Sequence, residues 1–343
     1  LSGYHPSATV LSPEVTMPLA PDAVVVVNHA SHRLLTQHLA ATVDGLDVTV
    51  VVVDNSPRAR DAAAVATLCA DAGWHLVTVP NEGFGAGVDA GLAAAAALGA
   101  PVVAVLNPDL AIAPGDLTSL LSDARRTGGL VAPRVVRPDG RPWSTGGTLD
   151  LRRGATRAHA APGAATWVSG ACIAASAATW ARLGGFDARY FMYWEDVDLG
   201  HRAAHAGVPL VVRHDVTAVH DAGGTQATAG SRRKSDGYYR DNCRGRLVFA
   251  AHHLDGRTRA RWALGAPGYA CEVVLRGGRR QLLRDPRPVL AALRGTLEGA
   301  WYARRRRTPW PPAPSPAPTT GRPVTTGAPV TAGPAAPAAG GTS

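Results

Sequence analysis

The sequence predicts an α/β protein built on a mostly parallel sheet with helices on both faces. Three observations carry that expectation. The runs AVVVV (23–27), VTVVVV (48–53) and VVAVL (102–106) are apolar but for Thr49, and a weaker HLVTV (75–79) lies among them. A strand that is apolar at every position is buried on both faces, as in a parallel sheet covered by helices. Stretches of helical character near 32–43, 58–72 and 86–98 alternate with these runs, which is the doubly wound pattern. Finally, 343 residues with 46 % hydrophobic and 18 % charged content suffice for one large domain and an appendage.

Each element has its local reason. The first strand ends at Asn28-His29, and the second ends in VDNSP, where Ser56-Pro57 supplies an N-cap and first-turn pair for the next helix. The weaker strand leads into NEGFGAGVDAG (81–91), with glycines at 83, 85, 87 and 91 before an alanine-rich helix. Gly99, Ala100 and Pro101 separate that helix from VVAVL. Residues 90–106 therefore read as a buried helix and strand, not a membrane span. After about 130 the pattern loosens into loops such as RPDGRPWSTGG, and GVPLVVRHDVTAVH (207–220) reads as a further strand. The boundaries expected are an extension over 1–20, a main domain over 21–230, a basic helical region over 231–307 and a tail over 308–343. The tail is rich in Pro, Ala, Thr and Gly, cannot bury a core, and is expected to be disordered.

Charge is uneven. The net charge is +9, yet residues 231–310 hold nineteen Lys/Arg against six Asp/Glu. A basic region on a mildly acidic body suits phosphates or an anionic membrane surface. No nucleic-acid-binding pattern accompanies the charge, so no nucleic acid partner is expected. The four cysteines form no CxxC pair, which fits a reducing compartment without a zinc site. LSGYHPSATVLSPEVT at the start has no signal-peptide pattern. The expected location is the cytoplasm, peripheral to the inner face of the plasma membrane.

In open α/β sheets ligands sit beyond the carboxyl ends of the strands. That rule selects Asn28-His29, Asp54-Asn55-Ser56, residues 81–91 and Asn107-Pro108-Asp109. The Asp54 carboxylate suits the N3–H of a uracil or thymine ring, or it caps the next helix. The glycines of 81–91 let backbone approach a phosphate at a helix start. A dinucleotide-binding reading competes there, although the glycines follow the third strand and are not spaced GxGxxG. Asp109 suits a hard cation on a diphosphate, which needs only one or two protein carboxylates, or an ordinary Asn-Pro-Asp turn. In YFMYWEDVDLGHR (190–202), Glu195, Asp196 and Asp198 are three acids in four positions. A helix start favours acids there, and Asp198 and Arg202 are spaced as a helical pair; a substrate site is the other reading.

Taken together, VNHAS, VDNSP, NEGFGAGVDAG, LNPD, WVSGAC, GGFDARYFMYWEDVDLGHRAAHAG and HDVTAVH occur in this order over residues 27–220. This set resembles the inverting, GT-A-type glycosyltransferases of family 2, in particular bacterial rhamnosyltransferase-like members that build lipid-linked cell-envelope glycans. The resemblance implies a GT-A fold and transfer of a sugar, rhamnose in those members, from a dTDP- or UDP-sugar. The acceptor implied is a hydroxyl of a polyprenyl-diphosphate-linked or other envelope glycan, and the cofactor is Mg²⁺ or Mn²⁺.

By matched position, Asn28, His29 and Asp54 hold the base, while Asn81, Gly83 and Gly85 lie along the nucleotide. Asn107 and Asp109 stand where other members carry Asp-x-Asp, so Asp109 is the implied metal ligand, and His220 matches a contact to metal or diphosphate. Trp167, Ser169 and Gly170 are implied to line the sugar pocket, with Asp196 as general base, Glu195 beside it on hydroxyls, and Asp198 as helix support. Two departures concern donor recognition: Asn28-His29-Ala30-Ser31 replaces a common Asn-Tyr-Asn-Ser, and Asp89 stands where Asn is usual. A nicotinamide-dependent oxidoreductase and a catalytically silent sugar-nucleotide-binding protein stay open as alternatives at this point.

Overall fold

The structure, a computed structural model, describes residues 20–221, 234–278 and 285–305. The extension over 1–19, the tail from 308, and Arg232, Arg233, Arg306 and Arg307 lie outside the described residues. The chain divides into Leu1–Trp310 and Pro311–Ser343, and everything described belongs to the first unit.

Strand β1 (Asp22–Asn28) leads into α1 (His32–Leu34), a π-helical turn (Leu35–Leu39) and α2 (Ala40–Val43). Next come β2 (Val48–Asp54), α3 (Ala59–Ala72), β3 (His75–Thr78), α4 (Phe84–Ala97) and β4 (Val102–Leu106). These four strands pair in parallel in the order β3-β2-β1-β4. Successive strand side chains point to opposite faces. Val24, Val26, Val52 and Leu106 enter one core, and Val25, Val51, Val53 and Val105 the other. Two cores explain why the buried stretches of these strands are apolar toward both faces.

Beyond β4 the sheet turns mixed. It continues with β5 (Leu110–Ile112), α5 (Pro114–Thr127), β6 (Leu130–Val136), β7 (Pro142–Ser144) and the hairpin β8 (Thr148–Asp150)–β9 (Ala155–Arg157). Then follow β10 (Cys172–Ser176), α6 (Ala177–Leu183), α7 (Glu195–His205) and β11 (Leu210–His220). The main sheet runs β3-β2-β1-β4-β10-β6-β11-β5, with β7 on β6. Strand β10 is antiparallel to β4 with Cys172 opposite Leu106, so the residues just before β10 stand beside the end of β4. Asn107 accordingly donates its backbone N–H to the Ala171 carbonyl at 2.9 Å.

Four helices close the described chain: α8 (Asp236–His253), α9 (Gly256–Leu264), α10 (Ala266–Arg276) and α11 (Arg287–Arg305). Ser235 and Asp255 cap α8 and α9 by accepting backbone N–H groups of Tyr238 and Thr258. Their shared core holds Phe249 stacked on Trp262 at 5.7 Å, together with Trp167, Tyr190 and Trp194 from the earlier part of the chain. Buried Arg246 joins the two parts, donating to the carbonyls of Gly154 and Trp262, each at 2.8 Å. Among the described residues the basic region is helical over 236–253, 256–264, 266–276 and 287–305, and these helices belong to the same unit as the sheet.

Helix α11 sits close on α8 through Ala292, Gly295 and Gly299. A Cβ at Gly295 would stand 2.0 Å from the Arg240 carbonyl oxygen. Among the described residues, no helix is long and apolar enough to cross a membrane. Gly295→Val is expected to lower stability by about 1–3 kcal/mol through overpacking. Gly268→Ala, where a Cβ meets nothing within 4 Å, should leave stability unchanged or slightly raised; thermal unfolding of both variants checks the contrast.

Candidate active site

The ends of β1 and β2 are tied by their own side chains. Asn28 and Asp54 are partners in register, and Asn28 Nδ2 donates to Asp54 Oδ1 at 2.7 Å. Ser56 Oγ donates to the same oxygen at 2.6 Å. Asp54 is buried, and with Oδ1 doubly engaged, Oδ2 is the acceptor left for a ligand. Ser56 also accepts the Ala30 N–H at 2.9 Å, and Ser31 N–H donates to Asn28 Oδ1 at 3.0 Å. Ala30 is held with φ +54°, an uncommon conformation for a residue with a Cβ.

A second polar chain crosses these strand ends. The Nδ1 atom of exposed His29 lies 2.9 Å from Asn55 Oδ1, and Asn55 Nδ2 donates to Asn81 Oδ1 at 3.4 Å. Asn81 Oδ1 also accepts the Gly83 N–H at 3.2 Å. His29, Asn81 and the end of β2 therefore meet at the carboxyl ends of the strands. Asn55 is the link that sequence reasoning left without a role; its position directly after Asp54 was the available signal.

Gly83 and Gly85 sit where the backbone packs closely on a neighbouring segment. A Cβ at Gly83, whose φ is +110°, would stand 2.3 Å from the Phe191 carbonyl oxygen, and one at Gly85 2.9 Å from Phe186 Cβ. Phe84 N–H donates to the Phe191 carbonyl at 2.9 Å. Here glycine lets the 81–85 loop close on the 186–191 segment. Asp89 belongs to the same seam: it accepts the Phe186 N–H at 2.8 Å, and burial pushes its pKa up to about 7.

At the end of β4, Asn107, Asp109 and His220 converge across more than a hundred residues of chain. His220 Nε2 lies 2.9 Å from Asp109 Oδ1 and 3.4 Å from Asn107 Nδ2. The pairing of β11 with β5, His220 opposite Leu110, brings them together. Trp143 packs its ring edge-to-face on His220 at 4.5 Å. His220 Nδ1 is buried without a partner. Among the described residues no three His, Cys, Asp or Glu side chains form a metal cage. One carboxylate and one imidazole still fit a divalent cation whose other positions are filled by diphosphate oxygens and water.

The acids of 195–198 divide by environment. Tyr193 and Trp194 both have left-handed backbone, φ +65° and +75°, which costs about 1–2 kcal/mol per residue. Burial of Trp194 against Phe249, Trp262 and Tyr269, with its Nε1–H donated to Tyr269 Oη at 3.3 Å, holds this turn. The turn starts α7 with Asp196 facing the WVSGAC stretch: Gly170 N–H donates to Asp196 Oδ2 at 3.4 Å, and Val197 N–H to Oδ1 at 2.8 Å. Asp196 is half-buried, and burial pushes its pKa up to about 6 against those N–H donors. Glu195 is buried with Oε2 unpartnered; burial and then the neighbouring Asp196 raise its pKa well above the usual range.

Asp198 differs. Arg202 Nε donates to Asp198 Oδ2 at 2.6 Å and His253 Nε2 lies 2.5 Å from Oδ1, with Tyr190 Oη at 3.3 Å. All of these side chains are buried. Against the cost of burial, the Arg202 guanidinium and the His253 ring hold the Asp198 pKa far below the usual carboxylate range. The helical pair expected from spacing exists, but in the interior and not at the surface. Trp167 is likewise interior: its indole fills the space over Gly147, and its backbone packs on Gly200. It packs beneath α7 at Gly200.

Residues 24–176 match the family model described as Glycosyl transferase family 2. Over those residues the chain is similar to the family 2 glycosyltransferases. An N-acetylglucosaminyl-diphospho-decaprenol L-rhamnosyltransferase of Mycobacterium tuberculosis is 34% identical over 128 residues, covering 31% of this chain and 42% of that protein. The chain therefore spans less than half the length of that relative. The low-salt glycan biosynthesis hexosyltransferase Agl10 of Haloferax volcanii is 25% identical over 210 residues, 58% of this chain and 66% of that one.

Among solved structures, a mannosyltransferase of Pyrobaculum calidifontis in complex with GDP-Man and Mn²⁺ aligns at TM-score 0.50 and 17% identity, covering 84% of this chain and 92% of that one. At that identity the likeness speaks to the fold, which is GT-A. The family 2 match contains Asp54, Asp109 and Gly170 and stops before Asp196 and His220, so the latter two join the site through α7 and β11.

Asp198→Asn leaves Arg202 as a buried charge without its counter-ion, and is expected to cost about 3–5 kcal/mol in urea unfolding. Because the folded pKa of Asp198 is depressed, its stabilisation is complete above the ordinary carboxylate pKa of about 4 and is lost as pH falls toward the folded value. The wild-type chain should therefore lose stability more steeply than the variant on acidification below about pH 4.

Proposed function

We propose that this chain is an inverting glycosyltransferase that moves a hexosyl group, rhamnose being the sugar favoured by its relative, from a dTDP- or UDP-sugar to a hydroxyl of a polyprenyl-diphosphate-linked or other envelope glycan. The observation that carries this reading is Asp196. It is a half-buried carboxylate with its pKa raised to about 6, aimed at Gly170 beside the strand ends. A base poised near neutral pH suits removal of a hydroxyl proton.

The step is a single displacement. Asp196 takes the proton of the acceptor hydroxyl as its oxygen bonds to the anomeric carbon and the bond from that carbon to the diphosphate breaks. Asp54 Oδ2 accepts the N3–H of the pyrimidine, and Asn28 and Ser56 hold that carboxylate in place. His29 offers a ring face at the same end, tethered through Asn55. Asp109 and His220 would hold a Mg²⁺ or Mn²⁺ ion, which offsets negative charge on the departing diphosphate. Burial and the neighbouring Asp196 favour the protonated form of Glu195, which in that form offers an O–H donor to substrate oxygens.

The assay incubates the protein with Mn²⁺ or Mg²⁺, a panel of UDP- and dTDP-sugars and a polyprenyl-diphosphate-linked sugar. Failure of every donor to be transferred or hydrolysed would overturn the reading. Asp196→Asn should lower turnover by about a hundredfold or more while leaving nucleotide binding intact; unchanged turnover would remove the base assignment, and a wild-type chain that binds donor without turnover would be a silent binder. For the active enzyme, kcat/KM should fall about tenfold per pH unit below about pH 6, because the acting form of Asp196 is the deprotonated one. Asp109→Asn should raise the Mn²⁺ concentration needed for half-maximal activity, with nucleoside binding in the absence of metal unchanged.

A further inference from the structure

Helix α11 has two faces of opposite character. Its inner face carries Ala292, Gly295 and Gly299 and lies on α8. Its outer face carries Val289, Leu290, Leu293, Leu297 and Trp301, each between 48% and 61% exposed. At about 100° per residue these five fall within an arc of about 120°, opposite the buried one. Among the described residues nothing covers them. Monomeric surfaces rarely leave so many large apolar side chains contiguous.

The rim of this stripe is cationic. Arg287, Arg294 and Arg305 flank one side and Arg304 closes the C-terminal end, while the helix's single acid, Glu298, is paired with Arg240 at 2.9 Å and with Arg294. The Arg305 guanidinium lies 4.0 Å from the Trp301 ring centroid. Beside Leu297 and Trp301, a cavity of about 440 Å³ is lined by Arg240, Arg244, Glu298 and Tyr302 as well. None of the strand-end residues borders it.

We infer that α11 lies in the plane of an anionic phospholipid surface, with the leucine stripe and Trp301 in the headgroup–acyl boundary and the arginines on lipid phosphates. A second copy of the chain would suit the leucines but would bring the arginine rims against each other, whereas an anionic surface satisfies both features. A helix with four arginines is suited to lie on a bilayer and not to cross it. The placement has a consequence for the site. Helix α11 rests on α8, and α8 packs at Gly245 against Tyr193 and Trp194, directly before Asp196. The base is thereby held a short stack of helices from the lipid.

This inference does not rest on the transferase reading, and its test is separable from it. The full chain should co-sediment with phosphatidylglycerol–phosphatidylcholine vesicles and much less with phosphatidylcholine alone. The double variant L293Q/L297Q keeps every charge and should partition about tenfold more weakly, with melting temperature and donor hydrolysis unchanged. The inference is overturned if the wild-type chain does not bind anionic vesicles, or if the double variant binds them equally, which would assign binding to charge alone. It is also overturned if the wild-type chain is a dimer that L293Q/L297Q dissociates while vesicles stay unbound.

Discussion

The buried Asp198 carboxylate organises the half of the molecule that carries the acids. Its i,i+4 partner Arg202 reaches from α7 to the carbonyls of Leu183 and Gly185, and its other oxygen meets His253 on α8. One charged group thus joins α7, the turn after α6 and the C-terminal helices. Neither charge can leave without stranding the other in the interior. The position of Asp196, two residues earlier on the same helix, follows from this anchoring.

Close backbone approach does the remaining positioning. The loop at Gly83 meets Phe191 and Gly200 meets Thr166 and Trp167 at distances a side chain would forbid, and Gly245 packs tightly on Trp194. The left-handed Tyr193 and Trp194 are held by the aromatic core of α8, α9 and α10. The helices after residue 235 therefore set the geometry of the acid turn while contributing no residue to the strand-end site. Their outer surface is left to a different task, the contact with lipid argued for α11.

Two kinds of carboxylate result. Asp54 and Asp198 are fixed by donors that use up particular oxygens, and they act as rigid parts. Glu195 and Asp196 are adjacent, incompletely compensated and raised in pKa, the condition in which a carboxyl can hold or take a proton near neutral pH. Asp89, raised to about 7 by burial, is a reminder that such a shift alone does not mark a catalyst, since its task is to hold Phe186.

By itself the sequence determined the parallel half of the sheet, because valine runs buried on both faces have few other solutions, and the strand-end rule then pointed to Asn28, Asp54, Asn81 and Asp109. The motif order added Gly170, Asp196 and His220. Tertiary structure alone decided the rest. The antiparallel insertion of β10 brings Gly170 to the end of β4, and no local pattern encodes a strand's neighbours. Gly83 and Gly85 have the same composition whether they cradle a phosphate or admit a phenylalanine, so only packing separates the two. Asp198 and Arg202 have the spacing of a surface pair, and their burial depends on His253 arriving from a helix fifty residues away.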